Sequence, residues 1–108
     1  MSMSVQCFSV EVADMCGVNA AIMFTRIADE VELSKECKEN FRDGRYWTFN
    51  SVKSFSEWFS FLTERQVKTA LKKLEDTGLI MTGNYNDTPF NRTKWYTLTE
   101  MGYSVLNG

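Results

Sequence analysis

The stretch Thr63–Ile80, TERQVKTALKKLEDTGLI, constrains the fold more than any other part of this chain. Thr63 with Gln66 three residues on is a capping-box pair, in which each side chain satisfies a backbone N–H of the other residue. Val67, Ala70, Leu71 and Leu74 recur at helical spacing and predict one buried stripe. Arg65, Lys68, Thr69 and Lys72 share the opposite side, and Gly78 ends the helix. Two stretches of strand-forming residues come next, LIMTGNY (Leu79–Tyr85) and KWYTL (Lys94–Leu98). The segment therefore predicts a basic-faced helix that stops sharply and runs directly into an antiparallel pair.

Between those strands lies NDTPFNRT, residues 86–93, which holds the sole proline. It is too long for a tight hairpin turn and predicts an extended, flexible tip. Upstream, Ser9 is placed to cap a short helix, VEVADMC, which Gly17 ends in a left-handed conformation. Asn19 then caps a longer helix over residues 20–40, with Ala20, Met23, Phe24, Ile27, Val31 and Ser34 at helical spacing. Asp43-Gly44 makes a turn, and Tyr46, Trp47, Thr48 and Phe49 form a short strand. Ser51 caps VKSFSEWF (residues 52–59), whose stripe is Phe55, Trp58 and Phe59. Thr99 opens a last short helix, EMGYSVL. Trp47, Trp58 and Trp95 are expected in the core where the small sheet meets the helices. Tyr85 and Phe90 are candidates for stacking on a base.

At 108 residues the chain is expected to form a single domain, with its core over roughly residues 9–106. Such a domain buries roughly two-thirds of its unfolded surface, enough for one core without staples. An apolar fraction of 44% with fifteen aromatics (8 Phe, 4 Tyr, 3 Trp) argues against disorder. No apolar run reaches the ~20 residues that span a bilayer. The opening MSMSVQCF lacks the basic region and apolar core of a secretory signal, so a cytoplasmic location and no membrane partner are expected. Cys7, Cys16 and Cys37 are odd in number and there is no histidine, which supports neither a disulfide framework nor a Cys/His zinc site. They are expected as buried or half-buried free thiols. The absence of histidine also removes the commonest general base, and no catalytic residue, metal site or cofactor is expected.

The net charge of −2 hides an asymmetry. Residues 1–64 hold six Lys/Arg against ten Asp/Glu, a balance of −4, whereas residues 65–108 hold six against four, a balance of +2. Two helices joined by a tight turn, the second basic and followed by a hairpin, predict an α+β winged helix-turn-helix: helices with a small antiparallel sheet made of the two-stranded wing and a short third strand. A recognition helix of this kind offers its exposed side chains to base edges in the major groove. Candidate DNA contacts are Arg65, Lys68, Thr69 and Lys72 on the helix and Arg92 and Lys94 on the hairpin, with Asn86 and Asn91 able to add hydrogen bonds. Glu64 and Glu75 are spaced to pair with Lys68 and Lys72, which alternatively makes the lysines an ordinary solvated face. Asp29, Glu32 and Glu36 lie three and four apart on the long helix and form a possible protein-partner face.

Gly44-Arg45-Tyr46-Trp47, Asn50-Ser51, Thr63, Leu74, Gly78-Leu79-Ile80, Gly83-Asn84-Tyr85-Asn86 and Arg92-Thr93-Lys94-Trp95-Tyr96, in that order, resemble the N-terminal winged-helix domain of phage replisome-organiser proteins. These are replication initiators related to the primosomal protein DnaD. GVNAAIMF (residues 17–24) also resembles the family's opening helix, so the resemblance runs over roughly residues 9–103. It implies binding of double-stranded DNA, origin recognition, recruitment of host replication proteins, self-association as a homodimer, and a location in the cytoplasm of a bacterial host. Two features depart from the pattern. Family members usually continue into a linker and a second, helicase-loader-contacting domain, and the opening helix here is acidic. A reused winged helix has two alternative roles: a transcriptional regulator, or a small phage-encoded inhibitor that docks on a host protein such as a defence nuclease, in the manner of an anti-CRISPR protein, through Asp29, Glu32 and Glu36.

Overall fold

The computed structural model of the chain describes residues 5–108, so the first four residues of the amino-terminal stretch lie outside it. Ser9 caps α1 (Val10–Cys16), its hydroxyl accepting from the Val12 N–H at 3.3 Å. Gly17 follows with φ 93° and ψ 164°, positive in φ but outside the left-handed helical region expected of it. This conformation lets one residue close one helix and open the next. Its N–H donates to Ala13 O and its carbonyl accepts from Ala21 N. The second helix, α2 (Val18–Cys37), therefore starts one residue after the glycine, and Asn19 lies inside it rather than capping it. It also ends earlier than residue 40, because Lys38 turns left-handed and the Glu39 N–H reaches back to Ser34 O. Nine of its residues are buried, including Ala21, Ile22 and Ala28 beyond the expected stripe, since α1, α4 and the sheet pack on different sides of it.

The expected strand at residues 46–49 is broken in two. Asp43 and Gly44 both take positive φ, 51° and 76°, the geometry of a two-residue hairpin turn. They join β1 (Phe41–Arg42) to β2 (Arg45–Tyr46). Trp47 leaves that hairpin, and β3 (Thr48–Phe49) joins a different sheet. Next comes α3 (Val52–Trp58), capped by Ser51, and the turn 59–63 leads to α4 (Glu64–Thr77). Both halves of the Thr63–Gln66 capping box are formed, and Gly78 closes α4 in the left-handed conformation. The strands β4 (Ile80–Gly83) and β5 (Trp95–Leu98) complete an antiparallel sheet of order β3-β5-β4. Finally α5 (Glu100–Asn107) is capped by Thr99. The chain is thus an α+β protein of helices with small antiparallel sheets.

The two faces of the main sheet are used differently. Ile80, Tyr96 and Leu98 turn towards the helices and join Phe24, Ile27, Phe55, Val67 and Leu74 in the main core. On the other face Phe49 and Trp95 are register partners, and Trp47 and Tyr85 lie beside them in a separate aromatic layer. Trp47 and Trp95 are therefore buried as expected, but away from the helix–sheet core. Trp58 contradicts the expectation: it is 41% exposed at the end of α3, with the Arg26 guanidinium 4.1 Å above its ring. The thiols differ as well, for Cys16 is buried but Cys7 and Cys37 are exposed. Among the described residues no helix is long and apolar enough to cross a membrane.

Candidate nucleic-acid interface

The helix α4 buries Val67, Ala70, Leu71 and Leu74 and leaves Arg65, Lys68, Thr69, Lys72 and Lys73 exposed. That division follows from 3.6-residue periodicity, which carries positions three and four apart onto one face. The exposed residues form a ridge with two flanks. On one flank Arg65, Thr69 and Lys73 line a groove of about 430 Å3 against the α1–α2 junction at Cys16–Ala20. On the other flank Lys68 and Lys72 meet Lys94 in a groove of about 460 Å3 that Leu71, Tyr96, Glu75 and Asp76 also line. Lys68 and Lys94 are far apart in sequence. The α4–β4 turn and the β4–β5 pairing bring them to one hollow.

The local ion pairing leaves these cations largely available. Lys72 Nζ lies 3.5 Å from Asp76 Oδ2, with both side chains mostly in solvent. A pair of that kind stabilises by about 0.5 kcal/mol and is screened by salt. Glu75 does not take the expected lysine partner and instead accepts from the Thr82 hydroxyl at 3.4 Å, tying α4 to β4. Burial, and secondarily the charge of Glu75, pushes the Tyr96 phenol at the base of the groove up to about 12.

The remaining candidates are distributed differently from the expectation. Arg92 is exposed on the β4–β5 loop and lines neither groove. The loop is not an extended tip. Asn86 folds it back: the two hydrogens of its Nδ2 are shared among Asn84 Oδ1 (2.8 Å), Asn91 O (2.9 Å) and Thr93 O (2.9 Å), while its Oδ1 accepts from Trp95 Nε1 (2.8 Å). The hydrogen-bonding groups of Asn86 are accordingly spent on the loop, and Asn91 Oδ1 accepts from the Thr93 N–H. Tyr85 is likewise withdrawn from stacking. Its ring packs edge-on against Trp47 and Trp95, and its hydroxyl donates to the Asp43 carboxylate, which raises its pKa above the ordinary phenol value. Phe90 remains, 92% exposed at the turn that the Asn91 N–H closes onto Thr88 O.

Asp29, Glu32 and Glu36 of α2 are exposed, and cations stand beside the first two. Glu32 shares a hollow with Lys35 and Arg45 and also with Asp43 and Glu100, whereas Asp29 lies in one with Arg26 and Trp58. The sequence reading missed Glu30, which accepts from Arg26 Nε (2.9 Å), Thr48 Oγ1 (2.6 Å) and Asn50 Nδ2 (2.6 Å) and fastens α2 to β3. Its spacing to Arg26 was visible, but Thr48 and Asn50 reach it only through the fold. Among the described residues no group of three His, Cys, Asp or Glu side chains is placed to hold a metal ion. No family model matches the chain, and no curated protein or solved structure matches it.

Proposed function

We propose that this chain is a winged-helix protein that binds duplex DNA through α4 and the β4–β5 hairpin, in replication initiation or its regulation. The observation that carries the reading is the groove where Lys68 and Lys72 of α4 meet Lys94 of the hairpin. Three ammonium groups from two separate elements outnumber the two carboxylates, Glu75 and Asp76, around one concave surface, which suits a polyanion, and an exposed helix beside them can enter a major groove. Arg65 and Thr69 extend the ridge towards the helix N-terminus, and Arg92 supplies a cation farther along the hairpin loop. The replication role rests on the sequence resemblance alone. A protein-directed role through Asp29, Glu32 and Glu36 has less support, because Asp29 and Glu32 line separate hollows and each has a cation beside it.

The reading is tested by the affinity of single-alanine variants for a random-sequence duplex. Lys68→Ala, Lys72→Ala and Lys94→Ala should each weaken binding by about fivefold at low salt, as loss of one phosphate contact does. Lys38→Ala, on the α2 terminus, should bind like the wild type. Equal losses from all four would contradict the proposed docking face.

A further inference from the structure

We propose that the hollow between the β1–β2 hairpin and the β4–β5 loop is a binding site for an unpaired nucleobase. It measures about 460 Å3 and lies on the aromatic face of the main sheet, away from the face that packs on α4. That volume falls in the range of roughly 300–1,000 Å3 common to small-ligand sites. Its walls combine what recognition of a single base requires: a ring to stack on, a planar cation, and side-chain amides to read an edge.

Phe49 supplies the ring. One side of it leans on Trp95, with centroids 4.9 Å apart and planes 30° apart, yet Phe49 is still 46% exposed. A planar ligand therefore has a surface to meet, already fixed by its neighbour. Arg42 supplies the cation, its guanidinium 5.7 Å from the Trp95 ring. Its Nη1 donates to Phe41 O, leaving the other N–H groups for a ligand. Asn91 and Asn40 supply the edge contacts. Asn91 uses its Oδ1 on Thr93 and keeps its Nδ2 as a donor, while Asn40 uses its Nδ2 on Ser34 and keeps its Oδ1 as an acceptor. The clamp made by Asn86 holds this rim in place before any ligand arrives, which lowers the ordering cost of binding.

The carboxylate of Asp87 on the same rim selects the part of a nucleotide that enters. It disfavours a phosphate, so the base goes in and the phosphate stays outside. A base held in a duplex has both faces covered by its neighbours and cannot enter, so the ligand is a single strand or a free nucleotide. The site does not depend on duplex binding, because Lys68, Lys72 and Lys94 line a different groove.

The test is the affinity of the full chain for fluorescein-labelled oligothymidine and oligodeoxyadenosine. The wild type should bind at least one of them, and Phe49→Ala should weaken that binding by roughly tenfold, the usual loss for one stacked base. Phe49→Tyr should restore it, which separates a stacking role from a folding defect, and Lys53→Ala, which removes an exposed charge on α3 that lines neither this hollow nor the lysine groove, should leave it unchanged. Competition by thymidine or deoxyadenosine monophosphate at equal affinity would identify a free nucleotide as the source and keep the base site. Absence of wild-type binding to either strand, or Phe49→Ala binding as tightly as the wild type, would overturn the proposal. Loss of duplex binding with single-strand binding intact would count against the duplex reading alone.

Discussion

Gly102 is the position where a single atom decides how the chain closes. A Cβ there would stand 2.2 Å from the backbone oxygen of Leu79, a contact no rotamer change relieves because the neighbour is main chain. The same oxygen accepts the Thr99 N–H, so close backbone approach seats α5 on the start of β4, with Val105 adding side-chain packing against the core. Gly102→Ala should cost about 2–3 kcal/mol in urea denaturation, at the upper end of overpacking penalties; a variant as stable as the wild type would show that α5 is seated elsewhere. Tyr96 makes a second residue-scale prediction. Its phenol is raised from 10.0 to about 12 by burial and the charge of Glu75, so the folded state holds that proton more tightly than the unfolded chain. Its stabilisation is therefore complete below about pH 10 and is lost between about pH 10 and 12, amounting to on the order of 2 kcal/mol. Tyr96→Phe should flatten that part of the stability–pH curve.

Among the elements, α4 was the most legible from sequence and the β4–β5 loop the least. The capping box, the apolar stripe and the closing glycine of α4 are all interactions between residues within a few positions of each other, so their spacing announces them. Ser9, Ser51 and Thr99 were legible for the same reason. The loop depends on partners that spacing does not reveal. Asn86 resembles a surface turn residue until Trp95 is brought back beside it by strand pairing. The β1–β2 hairpin was similarly hidden: its turn was evident at Asp43-Gly44, but Trp47 breaks the following strand by donating its indole N–H to Arg42 O and its amide to Asn40 O. Of the candidate site, Lys68, Lys72 and Lys94 converge, whereas Asn86 and Tyr85 turn inward for reasons only the tertiary structure supplies. Asn86→Ala should destabilise the chain by about 2 kcal/mol, since it leaves a buried indole donor without its acceptor. It should also accelerate hydrogen exchange at the Trp95 indole more than at α4 amides. Unchanged indole exchange would show that the loop is held by something other than Asn86.

For the whole molecule, the decisive property is where its charge lies. The chain is acidic overall, at −2, yet its last 44 residues (65–108) carry a balance of +2, and the exposed part of that excess lines α4 and the hairpin. The segregation is partial: α2 leaves Asp29, Glu32 and Glu36 in solvent, where Arg26, Lys35 and Arg45 partly offset them, while Glu64, Glu75 and Asp76 stand among the cations of α4. If α4 and the hairpin are the working face, as we propose, a polyanion should find them despite the overall sign. The measurement that tests this most directly is the affinity for a random-sequence duplex across a series of salt concentrations. If Arg65, Lys68, Lys72, Arg92 and Lys94 each neutralise a phosphate, log K should fall with log salt at a slope of about −4.5. Arg65→Ala should make that slope shallower by about 1. Absence of binding at low salt, or affinity indifferent to salt, would contradict the account.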